Sequence, residues 1–571
     1  MFNVLNFFLM AKMKQFNKTL QQALGQLPAN TEAIVEASKV PDYDTVNKSG
    51  APAYSLSDEL RLLSMLNVLN VENQFYRTSS TMLKELQEVI ERIALTDPYF
   101  VAQAICWSRN QGEGKRTINH IAAILLIPFM RGKEWARAFF GPYNRQTKSG
   151  GCVFRPDDMA EMVECCKALT GKAVTNAMRN GFAKAIESLD TYRIAKYSKS
   201  IIDVANLCHP SPKRSNAEIE ISEKEAAKSG LPVGTVKALD ALMKGLTITA
   251  NTWEAANSEA GQEVAQAVRE GKLSKEKAEQ VLTEAKNQNW SELLSAGKLG
   301  ILAAIRNCRN IISGNDSRVV DQLCSLVSNG DIIRRGKVMP YQMDYAYEIT
   351  KLEFSDNMNG RKVMQALYRG YESSIPNLKE LMPGRTCVFV DCSGSMDVYC
   401  HNGNNRQTIQ TSAKEKAGLI AATIAKATGA DVVQFGTSAR FVRYDPNASV
   451  FDLGRMIGKD NMGGTSISSA FDLIRRERRA YDRIIILSDD EANMKATWSE
   501  KWVDKTYKQY IREVANPYVY AVDLAAYGTN AVAGDKVGFY FGFGSSMFED
   551  IAAKEFNPAA VINKVKAYKI I

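Results

Sequence analysis

The spacing of apolar residues changes near Leu381, and this change restricts the fold more than any other feature of the sequence. Between about residues 57 and 372, apolar side chains recur at three- and four-residue intervals, as at Leu83, Leu86 and Ile90. That interval places them on one face of a helix. Beyond Leu381, short β-branched runs alternate with helical stretches. The sequence therefore predicts a helical region followed by an α/β region, and 571 residues are enough for two or more domains.

The helical region consists of many predicted helices separated by short turns, and strand-like alternation is scarce in it. Such a series predicts a solenoid of antiparallel helix pairs. A compact helical domain is the alternative, because no repeat is evident in the sequence. Residues 213–232 are polar and poor in aromatic side chains, so we expect a loop there. After the helix that contains Leu86, the predicted helices are 99–107, 116–130, 157–169, 173–189, 236–246, 298–312, 317–327, 341–351 and 362–371.

The α/β region contains four short apolar runs that are typical of buried strands. Alternating buried strands and helices predict a doubly wound, mostly parallel sheet. In sheets of this type, ligands bind at the carboxyl ends of the strands. The predicted strands are Thr386–Val390, Asp431–Phe435, Arg483–Leu487 and Tyr518–Val522, with helices over 411–427, 466–479 and 502–514 between them.

Polar loops follow these strand ends. Asp391, Ser393 and Ser395 alternate directly after the first strand, so their side-chain oxygens can point to one spot. Taken alone, this pattern is also explained by a tight turn that uses Ser and Asp as turn formers. Thr465 on a glycine loop and Asp489 at a later strand end add a hydroxyl and a carboxylate. A donor set made only of oxygens suits Mg²⁺, Mn²⁺ or Ca²⁺, so the three loops together predict a metal site.

The positive charge of the chain is concentrated in one segment. Lys and Arg total 72 against 63 Asp and Glu, and residues 101–214 alone hold 18 basic and 9 acidic residues. A localised basic segment favours an anionic partner such as nucleic acid. A solvated helical surface is the other explanation. Hydrophobic residues at 45% and charged residues at 24% exclude a disordered or collagen-like chain.

The cysteines and histidines argue against a disulfide framework or a zinc site. Ten cysteines are scattered without a CxxC pair, which predicts a reduced, cytoplasmic protein. Three histidines are too few for zinc sites with several His ligands.

The apolar segment Met1–Met13 has no basic flank or small-residue cleavage site and is too short to span a bilayer, so we expect a mobile tail or an upstream start codon.

The order of the polar loops resembles the metal-ion-dependent adhesion site of von Willebrand factor A domains. The resemblance covers about residues 385–571. It implies that Ser393, Ser395 and Thr465 bind a divalent cation, Mg²⁺, directly, and that Asp391 and Asp489 bind it directly or through water. Many members of this family have Asp-Gly after the last strand, whereas this chain has Asp489-Asp490-Glu491. That variant resembles the Ser/Thr-Asp-x-Glu form of the Ro autoantigen family.

The helical region also resembles the Ro family, in which a TROVE module, a ring of HEAT-like helical repeats, precedes a von Willebrand A domain. The resemblance implies a tail over residues 1–26, a helical RNA-binding domain over 27–380 and an A-type domain over 381–571. It also implies binding of small noncoding RNAs (Y RNAs) and of the ends of misfolded RNAs, with single strands entering the ring, and a protein partner at the metal face such as a ribonuclease. The matching segments are Glu72–Tyr76, Lys196–Tyr197, Asp203–His209 with Pro212, Ile301–Arg309 and Met339–Tyr347.

A cluster of basic residues lies where this resemblance requires an RNA surface. Lys and Arg neutralise phosphates without reading sequence, which suits a protein that accepts many RNAs. His209 could contact a nucleotide or could be satisfied at a helix end, and Tyr192 and Tyr197 could stack on bases or pack in the core. Arg109, Lys115 and Arg116 are further candidates. The basic cluster comprises Arg179, Lys184, Lys196, Lys199, His209, Lys213 and Arg214, with Arg193 beside it.

We expect a binding protein and not an enzyme. Asp489, Asp490 and Glu491 beside Asp391 could be mistaken for a two-metal nuclease, but hydroxyls dominate the site and no His or Lys base is paired with it in sequence. A second hypothesis is a metal-dependent protein-interaction scaffold in which RNA binding is incidental. In that case the cation takes a carboxylate from the partner as its last ligand.

Overall fold

The computed structural model describes residues 30–571 except 70–77, 113–114, 173, 249–263, 265–273, 298, 337, 339, 376–381, 398, 402–409, 543–550, 552–556 and 558. The predicted tail over residues 1–26, the segment Glu72–Tyr76 and Met339 lie outside the described residues. No described helix is long and apolar enough to cross a membrane.

The first series of helices runs from residue 30 to residue 243. Thr78 caps one of these helices by accepting a hydrogen bond from the Thr81 N–H at 3.3 Å, and the helix buries Leu86 and Ile90, as their spacing predicts. The helices are α1 (Asn30–Ser38), α2 (Asp58–Val68), α3 (Ser79–Ala94), α4 (Pro98–Asn110), α5 (Thr117–Leu125), α6 (Ala136–Phe139), α7 (Pro156–Thr170), α8 (Asn176–Glu187), α9 (Thr191–Lys196), α10 (Ser198–Cys208), α11 (Glu223–Ser229) and α12 (Ala238–Met243).

Short antiparallel hairpins interrupt this series. They pair β1 (Thr45–Val46) with β2 (Pro52–Ser55), β3 (Tyr143–Asn144) with β4 (Ser149–Gly150), and β5 (Glu218–Ile221) with β6 (Gly234–Lys237). The last pair shows that the loop predicted over residues 213–232 is wrong. The polar residues there alternate along β5, and Ser222 with Glu225 forms a capping box that starts α11. Low hydrophobicity concealed these elements because both lie on the surface.

A second series of helices covers residues 275–374. It comprises α13 (Lys275–Ser295), α14 (Ile301–Ser313), α15 (Ser317–Val327), α16 (Gly330–Arg335), α17 (Pro340–Phe354) and α18 (Met358–Ser374). The predicted helix over 317–327 matches α15 at both ends. The prediction of a helical region before the sheet is therefore confirmed.

The α/β region contains a mostly parallel sheet, as predicted. The sheet has six strands, and two of them, Ala439–Phe441 and Val537–Phe541, were not predicted. The strand order is β11-β10-β7-β12-β13-β15, and β11 is the one antiparallel strand of this sheet. The strands of this region are β7 (Thr386–Asp391), β8 (Tyr399–His401), β9 (Gln410–Ser412), β10 (Asp431–Phe435), β11 (Ala439–Phe441), β12 (Arg483–Ser488), β13 (Tyr518–Asp523), β14 (Thr529–Asn530) and β15 (Val537–Phe541). The helices are α19 (Ala413–Thr428), α20 (Val450–Lys459), α21 (Ile467–Arg476), α22 (Val503–Glu513) and α23 (Ala560–Lys566).

Both faces of the sheet are covered by helices. Successive side chains of a strand point to opposite faces, so an apolar strand presents side chains that need covering on each face. Phe389 packs edge-on against Phe471 of α21 at 5.1 Å between ring centroids, in one hydrophobic core with the first helical series. Val388 and Val390 lie in a second core with α19, α20 and the later helical series. The two helical series thus join the sheet from its two faces.

The two ends of the described chain bind elements that are distant in sequence. Strand β2 pairs with β14, and the Ser64 hydroxyl donates to Asp523 at 2.8 Å. At the other end, Gln103 donates to the carbonyl of Tyr568 at 2.7 Å, next to helix α23. These contacts join segments on both sides of the predicted boundary near residue 381.

Candidate metal centre and nucleic-acid interface

The first predicted metal loop follows β7 directly. The Ser393 N–H donates to Asp391 Oδ1 at 2.9 Å, and the hydroxyls of Ser393 and Ser395 are 3.1 Å apart. A 3₁₀ turn over Gly394–Asp397 produces this proximity, because it turns the chain back at the strand end. All three side chains are at most 4% exposed. The loop therefore gathers two hydroxyls and a carboxylate in a buried place.

Backbone hydrogen bonds bring the Thr465 loop against this first loop. The Gly394 N–H donates to the Gly463 carbonyl at 3.0 Å, and the Met462 N–H donates to the Cys392 carbonyl at 2.8 Å. Gly463 has φ of 82°, a conformation that favours glycine. Thr465 itself is 1% exposed, and its hydroxyl has no hydrogen-bond partner among the described residues.

Asp489 completes the set from the end of β12, the strand beside β7. The preceding residue, Ser488, donates its hydroxyl to Asp391 Oδ2 at 2.6 Å and so joins the two strand ends. Asp489 Oδ2 is buried and has no hydrogen-bond partner among the described residues. All five side chains predicted to bind metal therefore lie at one edge of the sheet, on three loops that contact each other.

Burial and mutual repulsion disfavour the charged forms of these carboxylates. Burial raises the pKa of Asp391, and hydrogen bonds from Ser393 and Ser488 oppose the rise. Burial, followed by the charge of Asp391, raises the pKa of Asp489 well above its ordinary value. A cation between the two carboxylates would remove this repulsion.

The donor set fits a hard divalent cation. Two buried oxygen atoms, Thr465 Oγ1 and Asp489 Oδ2, lack hydrogen-bond partners within the described part of the chain, and buried polar atoms are normally satisfied. No three His, Cys, Asp or Glu side chains of the described residues are grouped as metal ligands. The hydroxyls of Ser393, Ser395 and Thr465 would therefore supply much of the coordination, which suits Mg²⁺ with retained waters.

The two acidic residues after Asp489 differ in their surroundings. Asp490 has φ of 58° and is 1% exposed, and both of its carboxylate oxygens are buried without hydrogen-bond partners among the described residues. Glu491 points toward the β1–β2 turn, where its Oε2 accepts from the Ser49 N–H at 3.1 Å. Burial raises the pKa of Glu491 to about 7, although hydrogen bonds from the backbone of Ser49 and Lys48 oppose the rise. The carboxylate of Glu491, one of the acidic residues that resemble a two-metal nuclease in the sequence, thus binds the N-terminal hairpin.

Two residues that support the metal loops were not predicted from the sequence. Ser488 holds Asp391, and Asn493 accepts from the Thr465 N–H at 2.8 Å while its own N–H donates to the Thr465 carbonyl at 2.9 Å. The position of Ser488 directly before Asp489 was a usable signal. Asn493 could not be identified from the sequence, because its partner Thr465 is 28 residues away.

The basic cluster is exposed at all seven predicted positions: Arg179, Lys184, Lys196, Lys199, His209, Lys213 and Arg214. Arg214 donates to Glu187 Oε1 at 3.0 Å, which places the turn after α10 beside the end of α8. Burial raises the pKa of Cys208 to about 11, and the nearby charge of Arg179 opposes the rise. Arg179 therefore lies close to the end of α10, where His209 caps the helix with φ of 51°.

The cluster extends along α10. Lys199 is in the first turn of α10 and His209 follows its last residue, which separates them by about 15 Å at 1.5 Å per residue. Lys196 donates to the Tyr192 hydroxyl at 2.9 Å, and its ammonium lies 6.0 Å from the centre of the Tyr197 ring. Both rings are half-buried at the surface beside Lys196.

Two of the further RNA-binding candidates are engaged in a buried ion-pair network. Arg109 donates to Asp158 Oδ1 at 3.0 Å, and both side chains are at most 8% exposed. Arg116 donates to the same oxygen at 3.0 Å and pairs with Glu161 at 3.2 Å. The interpretation of Arg109 and Arg116 as phosphate contacts is therefore wrong. Their acidic partners are more than 40 residues away, so the sequence gave no sign of the pairing.

No family model matches this sequence, and no curated protein matches it. Among solved structures, the chain is similar to the Ro (RSR) protein of Deinococcus radiodurans, with a TM-score of 0.51 and 14% identity over 87% of this chain and 99% of that chain. At this identity the likeness establishes the fold. It agrees with the resemblance to Ro proteins that the sequence motifs indicate.

Proposed function

We propose that this chain, which has the fold of a Ro protein, binds small noncoding RNAs of the Y type and the ends of misfolded RNAs. The observation that carries the proposal is the basic cluster, whose seven side chains are exposed on neighbouring elements of a Ro-like fold. Lys and Arg side chains contact phosphates independently of base identity. The protein therefore accepts RNAs of different sequence and selects them by shape and by accessible ends.

The helical part of the proposal is a ring of HEAT-like repeats. The two helical series share cores with opposite faces of the sheet, and this arrangement supports a ring whose ends meet at the sheet region. In this proposal the sheet region is an A-type domain over residues 381–571, the ring covers residues 27–380, and single-stranded ends enter the ring.

The metal centre serves protein partners in this proposal. Ser393, Ser395 and Thr465 hold a divalent cation, with Asp391 and Asp489 beside it. A cation held largely by neutral hydroxyls keeps much of its charge and attracts a carboxylate from a partner. The buried, unpartnered oxygens Thr465 Oγ1 and Asp489 Oδ2, found among the described residues, support this role. A ribonuclease is the partner class that the Ro resemblance suggests.

RNA binding is tested with the double variant Lys196→Ala/Lys199→Ala in a filter-binding assay. We expect weaker binding to many RNAs alike. We also expect the affinity to depend less steeply on salt, because a variant with fewer phosphate contacts releases fewer counterions when it binds. The matched control is Lys277→Ala/Lys286→Ala, which removes two exposed lysines of α13. Equal RNA affinity in the parent and the Lys196/Lys199 variant at moderate salt would contradict the placement of the interface.

A metal-dependent scaffold without a role for RNA is the second candidate function, and the buried unpartnered oxygens favour it. A pull-down separates the two functions. Ribonuclease treatment releases partners that RNA bridges, and chelation of divalent ions releases partners bound at the metal face. If chelation alone released every partner, the scaffold would be the better description.

We further propose that the chain has no nuclease activity of its own. Glu491 is bonded to the Ser49 N–H, and the metal loops offer hydroxyls in place of a paired His or Lys base. A fluorescent single-stranded RNA incubated with Mg²⁺ or Mn²⁺ should stay intact. Cleavage that disappears in Asp391→Ala would favour a metal-dependent nuclease instead.

A further inference from the structure

Aromatic rings and basic side chains alternate on the surface beside the basic cluster. Tyr143 stacks on Phe154 with ring centroids 4.8 Å apart and planes inclined by 19°. The Arg145 guanidinium lies 5.3 Å from the centre of Phe154, and the Arg155 guanidinium lies 5.7 Å from the centre of Tyr197. We call Tyr143, Arg145, Phe154, Arg155 and Tyr197 the aromatic corner. It continues into the basic cluster through Lys196, which lies over Tyr197.

The aromatic corner is accessible to a ligand. Arg145 is exposed, Tyr143, Phe154 and Tyr197 are half-buried, and the Arg155 side chain is 42% exposed. The buried Arg109 guanidinium also lies 5.3 Å from the centre of Phe154, so the outer members Tyr143, Arg145 and Tyr197 offer most of the surface to a ligand. Guanidinium planes and aromatic faces are the two surfaces on which unpaired bases stack.

A buried carboxylate holds the corner in place. Asp158 Oδ2 accepts from the Phe154 N–H at 3.1 Å and from the Arg155 N–H at 2.8 Å. The same carboxylate is fixed by Arg109 and Arg116 in the buried ion-pair network. The backbone that carries Phe154 and Arg155 is therefore set before any ligand arrives, which reduces the entropy lost on binding.

The chain terminus supports the other side of the corner. The Gly150 N–H donates to the Lys569 carbonyl at 2.9 Å, and the Tyr568 hydroxyl donates to the Gly150 carbonyl at 3.2 Å. These bonds hold the β3–β4 hairpin that carries Tyr143 and Arg145. The hairpin is thus a supported element and not a loose loop.

The charge around the corner suits an anionic ligand. Residues 131–155 contain six Lys and Arg and one acidic residue. Asp157 partly offsets this excess, because its oxygens accept from Arg155 Nε and an Arg155 terminal nitrogen, each at 3.0 Å. Arg145 at the exposed end of the hairpin carries its charge toward solvent.

We propose that the aromatic corner binds unpaired bases of single-stranded RNA, with bases stacking on its rings and on the Arg145 guanidinium while basic side chains contact the flanking phosphates. The inference rests on the proposed RNA-binding function and adds a requirement for unpaired bases. Duplex RNA cannot satisfy this requirement, since its bases are already stacked and paired. The basic cluster binds phosphates of either form, and the corner favours single strands.

The test compares a fluorescein-labelled 12-nucleotide oligouridine with a blunt 12-base-pair RNA duplex, using the full chain. In Tyr143→Leu/Tyr197→Leu the apolar volume is largely kept and stacking is lost. We expect affinity for oligouridine to fall by about tenfold, with unchanged affinity for the duplex and an unchanged salt dependence. The matched control is Tyr345→Leu, which replaces a tyrosine of α17 that is 44% exposed.

The outcomes separate this inference from the proposed function. If the parent binds neither RNA, both fail. If the parent binds RNA and the double variant binds oligouridine equally well, the proposal for the aromatic corner is wrong, and the proposed RNA-binding function is retained. Equal losses for oligouridine and duplex would also overturn the corner, because they would indicate a general defect.

A crosslinking measurement on the unaltered protein keeps the inference testable if the double variant folds poorly. Oligouridine containing 5-iodouridine is bound to the parent and irradiated, and the labelled peptides are identified. We expect label on residues 143–155 or 192–199. Label confined to other parts of the chain would contradict the proposal.

Discussion

At the scale of single residues, burial decides the chemistry of the metal loops. Asp391 and Asp489 are at most 1% exposed, and the charge of Asp391 adds to burial in raising the pKa of Asp489. The Thr465 hydroxyl is buried without a partner among the described residues. A buried polar group without a partner destabilises the folded protein unless a ligand binds to it. These residues therefore determine the expected response to cations.

Metal binding should stabilise the folded chain, because the donors come together only in the folded sheet. We expect the melting temperature of the parent to rise on titration with Mg²⁺. Asp391→Ala should weaken this response more than Ser393→Ala, since it removes a negative charge beside the cation, whereas the serine variant removes one neutral ligand. The measurement is a Mg²⁺ titration of the melting temperature on the three proteins.

The control for this experiment is RNA affinity, which neither substitution should change if the helical region alone holds RNA. Ser393→Ala should still fold. A parent protein that does not respond to Mg²⁺, Mn²⁺ or Ca²⁺ would leave the Asp391–Ser395 loop as a structural turn.

At the scale of elements, α7 shows how one helix start organises its surroundings. The helix begins at Pro156, and Asp158 in its first turn accepts two backbone hydrogen bonds from the preceding segment. The same carboxylate pairs with Arg109 of α4 and with Arg116 at the start of α5. One fully buried side chain therefore links three helices and the aromatic corner.

Asp158→Ala should strongly destabilise the protein, because it leaves the buried Arg109 without its carboxylate and two backbone N–H groups without their acceptor. Removing one partner of a buried ion pair costs about 3–5 kcal/mol of unfolding free energy. The matched control is Asp157→Ala, whose side chain is 24% exposed and should cost less than about 1 kcal/mol. Urea denaturation of both variants measures the difference, and equal midpoints would refute the role of Asp158.

At the scale of the whole molecule, residues near the C-terminus complete the first helical series. Tyr568 is 4% exposed and Ile570 is 8% exposed. Along the chain, the whole sheet region separates these two residues from the helices that they contact. Gln103 donates to the carbonyls of both Lys566 and Tyr568. The chain is thus closed by its last residues against α4 and the β3–β4 hairpin.

Deletion of residues 567–571 should lower the melting temperature and weaken binding of single-stranded RNA, because the hairpin loses the Lys569 and Tyr568 contacts. The rise in melting temperature with Mg²⁺ should remain, since the metal loops lie elsewhere. The control is deletion of Ile571 alone, which is 79% exposed. If both truncations behaved like the parent, the terminal segment would have no structural role.

The division into a helical and an α/β region, the positions of the four central strands and the type of the predicted metal ligands follow from the sequence alone. Hydrophobic period is a local property, so it predicted α15 and the central strands closely. Asp391, Thr465 and Asp489 could be grouped in advance because each follows or adjoins a strand end, and parallel strands carry their carboxyl ends to one edge. The surface elements β5 and α11 were missed because polar surface residues carry a weak hydrophobic signal.

Tertiary structure decided which charges are available and which rings meet. Arg109 and Arg116 look like RNA contacts in the sequence, but Asp158 and Glu161 on another helix form ion pairs with them. Tyr143 and Phe154 form one stack because the β3–β4 hairpin folds back between them. Ion pairing and stacking depend on distances of a few ångströms between segments that chain folding brings together, and residue spacing along a sequence contains no measure of those distances.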